Sequence, residues 1–140
     1  MTFPRIAQED PHGCGIACLA MVTGHAYLDV RTWFNGKDFS SDGLSYFCMD
    51  AYLIEHGFAI ARKYRHLPGK EIDRAEWPPK PFADVHICGM RTCAKTNHYI
   101  IMLASGQIID PLWPERKDIK FSDYDELIHV DGAWRVSSEE

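Results

Sequence analysis

The side chains best suited to covalent chemistry begin in Gln8-Glu9-Asp10-Pro11-His12-Gly13-Cys14-Gly15-Ile16-Ala17-Cys18-Leu19-Ala20-Met21, where a glutamine precedes a cysteine by six residues. Cys14 opens an apolar run with helical spacing, in which Ile16, Ala17, Leu19, Ala20 and Met21 form the stripe and Gly13 and Gly15 crowd the start. A thiol at a helix N-terminus lies in the positive end of the macrodipole, which favours the nucleophilic thiolate. A cysteine flanked by glycines at such a start is poorly placed for burial, which weighs against a packing role. The Gln8 amide can donate to an oxyanion formed beside the thiol; its alternative is a plain surface glutamine.

A base lies far downstream. His98 leads Tyr99-Ile100-Ile101-Met102-Leu103, which reads as a buried strand with the imidazole at its entrance. Ser105-Gly106 marks a turn, and Gln107-Ile108-Ile109-Asp110-Pro111 is the returning strand, ended by proline. Register decides whether Asp110 meets His98. A three-residue loop over 104–106 pairs Leu103 with Gln107 and Ile100 with Asp110, which puts the carboxylate diagonal to His98 on one face. A two-residue turn pairs Ile101 with Asp110 and sends the carboxylate to the other face. The competing readings are a hydrogen-bonded histidine at a strand entrance and an ordinary strand terminator. His12 lies two positions from the thiol and suits a surface or substrate contact better than a base; His56, His66, His86 and His129 show no catalytic neighbourhood. Trp113 follows Asp110 closely enough to roof a site.

Several elements must position these groups. The spacing predicts a helix over 13–23 stopped at Thr23-Gly24, and a second over 28–34 that uses Leu28, Val30 or Arg31, Trp33 and Phe34 and ends at Asn35-Gly36. A third helix over 44–56, capped from Ser40-Ser41-Asp42-Gly43, is expected to bury Leu44, Phe47, Cys48, Ala51, Tyr52 and Ile54 and to stop at Gly57. Strands follow over 58–64 and 82–90, separated by a proline-rich loop over 67–81 and followed by a polar connector over 91–96. Ser122 is expected to cap a turn over 123–126. Strands over 127–130 and 133–136 then read as a hairpin around Asp131-Gly132, a type I′ signal. Helices first and an antiparallel sheet after them is an α+β order.

The 140 residues, 46% apolar and 25% charged, fit one domain over 1–140 with a real core. A net charge of −5 argues against nucleic acid as a partner, and the basic run Arg62-Lys63-Tyr64-Arg65-His66 reads as a solvated strand end. No signal segment opens the chain and no stretch approaches the roughly 18 apolar residues that span a bilayer, so no membrane association and a cytoplasmic location are expected. Five cysteines, an odd count, argue against a disulfide scaffold. Zinc is the rival use of Cys14, Cys18, Cys88 and Cys93 with His12 and His98, but neither cysteine pair has knuckle spacing, so no metal or cofactor is expected. Cys48 reads as a small buried hydrophobe.

The segment over 8–21, joined to His98-Tyr99 and Ile109-Asp110-Pro111, resembles the papain-like peptidases that process bacteriocin leader peptides at a double glycine, here as a stand-alone domain. Gly43-Leu44-Ser45 and the apolar helix ending at Gly57-Phe58 are similar to that family's middle segment, and the likeness extends over 6–111. His12-Gly13 stands where the family usually carries an aspartate before the cysteine, and the hairpin between histidine and aspartate is short. The resemblance implies a papain-like cysteine peptidase fold, with N-terminal helices packed on a C-terminal antiparallel sheet. It assigns Cys14 as nucleophile, His98 as base, Asp110 as its orienter and Gln8 as oxyanion donor. The expected activity is cysteine-dependent acyl transfer, foremost hydrolysis of a peptide or isopeptide bond in a peptide or protein substrate. The alternatives are glutamine deamidation by the same residues and a non-catalytic peptide-binding module of the same fold.

Overall fold

A computed structural model describes residues 3–10, 12–34, 44–63, 80–92, 97–124 and 126–136. Among these residues three helices come first: α1 (Cys14–Thr23), α2 (Tyr27–Trp33) and α3 (Tyr46–Glu55). Five strands follow: β1 (Phe58–Lys63), β2 (Val85–Arg91), β3 (Asn97–Leu103), β4 (Ile108–Ile109) and β5 (Glu126–Arg135), with a 3-10 turn at Phe121–Asp123. The strands form one antiparallel sheet in the order β1-β5-β2-β3-β4. This is the expected α+β arrangement.

Helix α1 stops where the sequence places its end: Gly24 takes a left-handed conformation and its N–H closes on the Ala20 carbonyl at 2.9 Å. The faces of the next two helices differ from expectation. Helix α2 starts at Tyr27 and buries Tyr27, Val30 and, just beyond its end, Phe34, while Leu28 and Trp33 are exposed. Helix α3 buries Met49, Tyr52 and Leu53 and leaves Phe47 and Ile54 exposed. Both of its faces carry large apolar residues, so periodicity alone does not choose between them. Packing chooses: Met49 and Leu44 lie against Gly15 of α1, where an added Cβ would stand 3.2 Å from the Met49 sulfur. The N-cap of α3 is Ser45, whose hydroxyl accepts from Cys48 N–H; Ser40 to Gly43 lie outside the described residues, as do Asn35, Gly36 and the 67–79 part of the expected loop. Cys48 is half-buried rather than buried, with the Ser45 hydroxyl 3.2 Å from its sulfur.

The sheet is covered on both sides, which explains why β2 is buried along nearly its whole length. The helices pack on one face, where Ile16, Leu19 and Met21 meet Ile87, Ile101 and Ile109. On the other face Ile119, Phe121 and Tyr124 cover Met90, Ile100, Met102, Leu127 and Val130.

The final hairpin expected around Asp131-Gly132 is not formed. Asp131 and Gly132 sit inside β5, paired with Ile87 and His86 on one side and with Arg62 and Ala61 on the other. A two-residue turn there would remove the common neighbour of β1 and β2. The glycine answers a steric need instead, since a Cβ on Gly132 would stand 2.4 Å from the Phe82 ring. The 3-10 turn that contains Ser122 starts from Lys120, whose N–H is held by the Asp123 carboxylate at 3.0 Å, and residue 125 of the turn expected over 123–126 lies outside the described residues.

Candidate active site

The start of α1 is built by the loop before it. Cys14 is the first helical residue and is half-buried, while Cys18, one turn on, is wholly buried. The Gly13 N–H donates to the Asp10 carbonyl at 3.0 Å, and the Gly13 carbonyl accepts the first helical bond from Ala17. Asp10 is a hub: its carboxylate accepts from the Tyr27 hydroxyl at 2.8 Å and pairs with Arg31 Nε at 3.1 Å, tying the loop to α2. The Tyr27 hydroxyl fills the space beside Gly13, where a Cβ would stand only 2.0 Å from it.

The hairpin takes the three-residue form. Ile101 pairs with Ile109 and Met102 with Ile108, and Leu103 N–H bonds the Gln107 carbonyl at 2.8 Å. Gly106 closes the loop with φ of +91°, which suits glycine. The ladder ends at Ile101–Ile109; one residue beyond it Asp110 bridges to Trp113, and the imidazole Nε2 of His98 meets Asp110 Oδ1 at 2.7 Å. His98 is 7% exposed and Asp110 wholly buried. The Cys14 thiol lies within hydrogen-bonding reach of the same imidazole.

Burial resists protonation of His98, but its hydrogen bonds to Asp110 and Cys14 and their charges outweigh that cost and push its pKa up to about 9. Burial likewise resists ionisation of Asp110. Donors from His98, Tyr124 and the Leu112 N–H hold its carboxyl below the usual range. Tyr124, on the far face of the sheet, donates to Oδ2 at 2.6 Å, and Leu112 N–H to Oδ1 at 2.9 Å. Neither Tyr124 nor the Asp10–Tyr27 clamp is visible in sequence, because their partners lie 14 and 17 residues away.

Gln8 joins this locality through its backbone: its N–H donates to the Pro111 carbonyl at 3.1 Å, next to Asp110. Its side-chain amide donates to the Asp10 carbonyl at 3.0 Å, the oxygen that also receives Gly13 N–H. An NH2 group carries two hydrogens, so this bond orients the amide. His12 is exposed in the turn before α1. Trp113 is about half exposed at 52%, its N–H bonded to the Asp110 carbonyl.

For the rival zinc site, no three His, Cys, Asp or Glu groups among the described residues are grouped to hold a metal; Cys93 lies outside those residues. Burial pushes the Cys18 and Cys88 thiols well up, keeping them protonated.

A second polar group lies between α3 and the sheet. Arg62, expected to be solvated, is half-buried and grips Asp131 through Nε at 2.8 Å and Nη2 at 3.2 Å, and also pairs with Asp50 of α3. His129 Nδ1 completes the group, 3.2 Å from Asp131. Burial, then the neighbouring Asp131 carboxylate, push the Asp50 pKa up to about 7. The Arg62 guanidinium also lies over the Tyr46 ring, 4.2 Å from its centroid.

No family model and no curated protein matches the chain. Among solved structures it is similar to the peptidase domain of Streptococcus ComA, a bi-functional ABC transporter involved in a quorum-sensing pathway. The match covers 97% of this chain and 100% of that domain, with a TM-score of 0.71 and 15% identity. The chain therefore shares the α+β fold of that peptidase domain.

Proposed function

We propose that this chain is a cysteine-dependent acyl-transfer enzyme that hydrolyses a peptide or isopeptide bond in a peptide or protein substrate. The observation that carries the reading is the buried His98–Asp110 pair at 2.7 Å, with the half-buried Cys14 thiol near the same imidazole. The likeness to a peptidase domain supports the choice of bond.

In this reading Cys14 gives its proton to His98, and Asp110 fixes the ring tautomer and supports the imidazolium. The sulfur attacks the carbonyl carbon; a C–S bond forms as the carbonyl electron pair moves onto oxygen. The Gln8 amide and a backbone N–H at the start of α1 receive that oxyanion. The intermediate collapses, the C–N bond breaks, and the imidazolium protonates the leaving amine. Water, losing a proton to His98, then cleaves the thioester and the thiol is restored. The free thiols Cys14, Cys18, Cys48 and Cys88 suit a reducing cytoplasm.

Iodoacetamide with adduct mapping tests the reading before any substrate is known. Selective labelling of Cys14 that slows in His98→Ala supports the pair; indifference of the rate to His98 overturns it. Cys14→Ala is expected to abolish hydrolysis while the thermal melt stays intact.

A further inference from the structure

We infer that Tyr124 is a positioning residue for the His98–Asp110 pair, holding the carboxylate plane so that Oδ1 stays on the imidazole; the inference deepens the hydrolase reading above and rests on it. Asp110 is wholly buried and uses its two oxygens unequally. Oδ1 receives His98 Nε2 at 2.7 Å and Leu112 N–H at 2.9 Å, whereas Oδ2 receives the Tyr124 hydroxyl at 2.6 Å. That length is typical of a hydroxyl donating to an ionised carboxylate. The second torsion of aspartate is broad, so a carboxylate fixed at one oxygen can still swing. With both oxygens engaged from different elements, it cannot.

Tyr124 is itself well fixed. It follows the 3-10 turn, bonds the Phe121 carbonyl through its N–H at 3.1 Å, and packs with Ile119 and Phe121 on the sheet face away from the helices. A tyrosine serving only packing would need some partner for its hydroxyl. Here that partner is the carboxylate that orients His98. The segment on the second face thereby holds the carboxylate of a pair whose thiol neighbour stands on α1.

The test is Tyr124→Phe in the full chain, which keeps the ring and removes the hydroxyl. Two readouts are taken: the Asp110 carboxyl by carbon NMR against pH, and steady-state hydrolysis. The carboxyl is expected to titrate about one unit higher, because a buried anion has lost a donor. The rate kcat is expected to fall about tenfold with KM unchanged. Combined with Asp110→Asn, the tyrosine change is expected to cost nothing further, since it acts through Asp110. An unmoved carboxyl titration, or a full tenfold loss on top of Asp110→Asn, would overturn the inference. If no peptide is cleaved by the wild type and the carboxyl still moves, the hydrolase reading fails while the coupling of Tyr124 to the pair stands. Should Tyr124→Phe fail to fold, the wild type carries the test. Its Tyr124 hydroxyl proton must then shift as Asp110 is protonated, and an unresponsive proton rules the coupling out.

Discussion

The backbone N–H of Gln8 donates to the Pro111 carbonyl at 3.1 Å, so the chain leading to the thiol runs beside the turn that follows Asp110. One hydrogen bond thus joins the first dozen residues to the end of the β3–β4 hairpin. The groups proposed for chemistry are assembled by tertiary contacts from three separate segments.

The first prediction concerns the carboxylate. Asp110→Asn keeps the shape but offers His98 an amide, which can stabilise the wrong tautomer. Hydrolysis is expected to fall roughly 100-fold or more, and iodoacetamide labelling of Cys14 to slow with it. Parallel rate measurements on the two variants, Asp110→Asn and wild type, check this; equal rates would remove Asp110 from the proposed mechanism.

The second concerns pH. His98 carries a pKa raised from 6.5 to about 9, so its protonated form adds stability that is complete below 6.5 and lost as pH rises through about 9. The same imidazolium must protonate the leaving amine, so kcat/KM is expected to decline with an apparent pKa of about 9. Denaturation from neutral to alkaline pH, repeated with His98→Gln, should show the stability loss only in the wild type.

The third concerns Asp50. Its carboxyl is raised from 3.8 to about 7, so the folded state holds this proton more tightly than the unfolded chain. Its contribution to stability therefore falls as pH rises from about 4 to about 7. Asp50→Asn removes that slope. The variant is expected to match the wild type near the acid end and to exceed it by about 1–2 kcal/mol above neutrality, after allowing for partial exposure. Urea melts at several pH values decide the matter; a variant less stable at alkaline pH contradicts it.

The fourth concerns the loop before the thiol. A Cβ at Gly13 would stand 2.0 Å from the Tyr27 hydroxyl and 3.2 Å from the Asp10 carbonyl. Gly13→Ala is expected to cost about 1–3 kcal/mol and to slow Cys14 labelling. Adding Tyr27→Phe should recover part of the stability. No recovery would mean that the obstruction is the backbone at Asp10.

Local patterns were legible where one segment settles its own structure. The apolar stripe and Gly24 define α1, and Gly106 permits the loop whose odd length turns Asp110 toward His98. Patterns misled where a tertiary neighbour decides. Asp131-Gly132 carries a turn signal, yet β1 and β2 both bond to this stretch, and the Asp131 carboxylate finds Arg62 and His129. Helix α3 has two apolar faces, and its contact with Gly15 selects Met49 over Phe47. Tyr124 had no local signal, because its hydroxyl acquires meaning only through Asp110, 14 residues away.

The strand order β1-β5-β2 has a kinetic side. The stretch that comes last among the strands must slip between two that precede it, so β1 and β2 each present an unpaired edge until it arrives. Such pairing at long sequence separation is slow, and open edges invite association with other chains. Refolding at high protein concentration should therefore lose more material to aggregates than dilute refolding does. A short peptide matching β5 should compete for the gap if it is added before the chain closes.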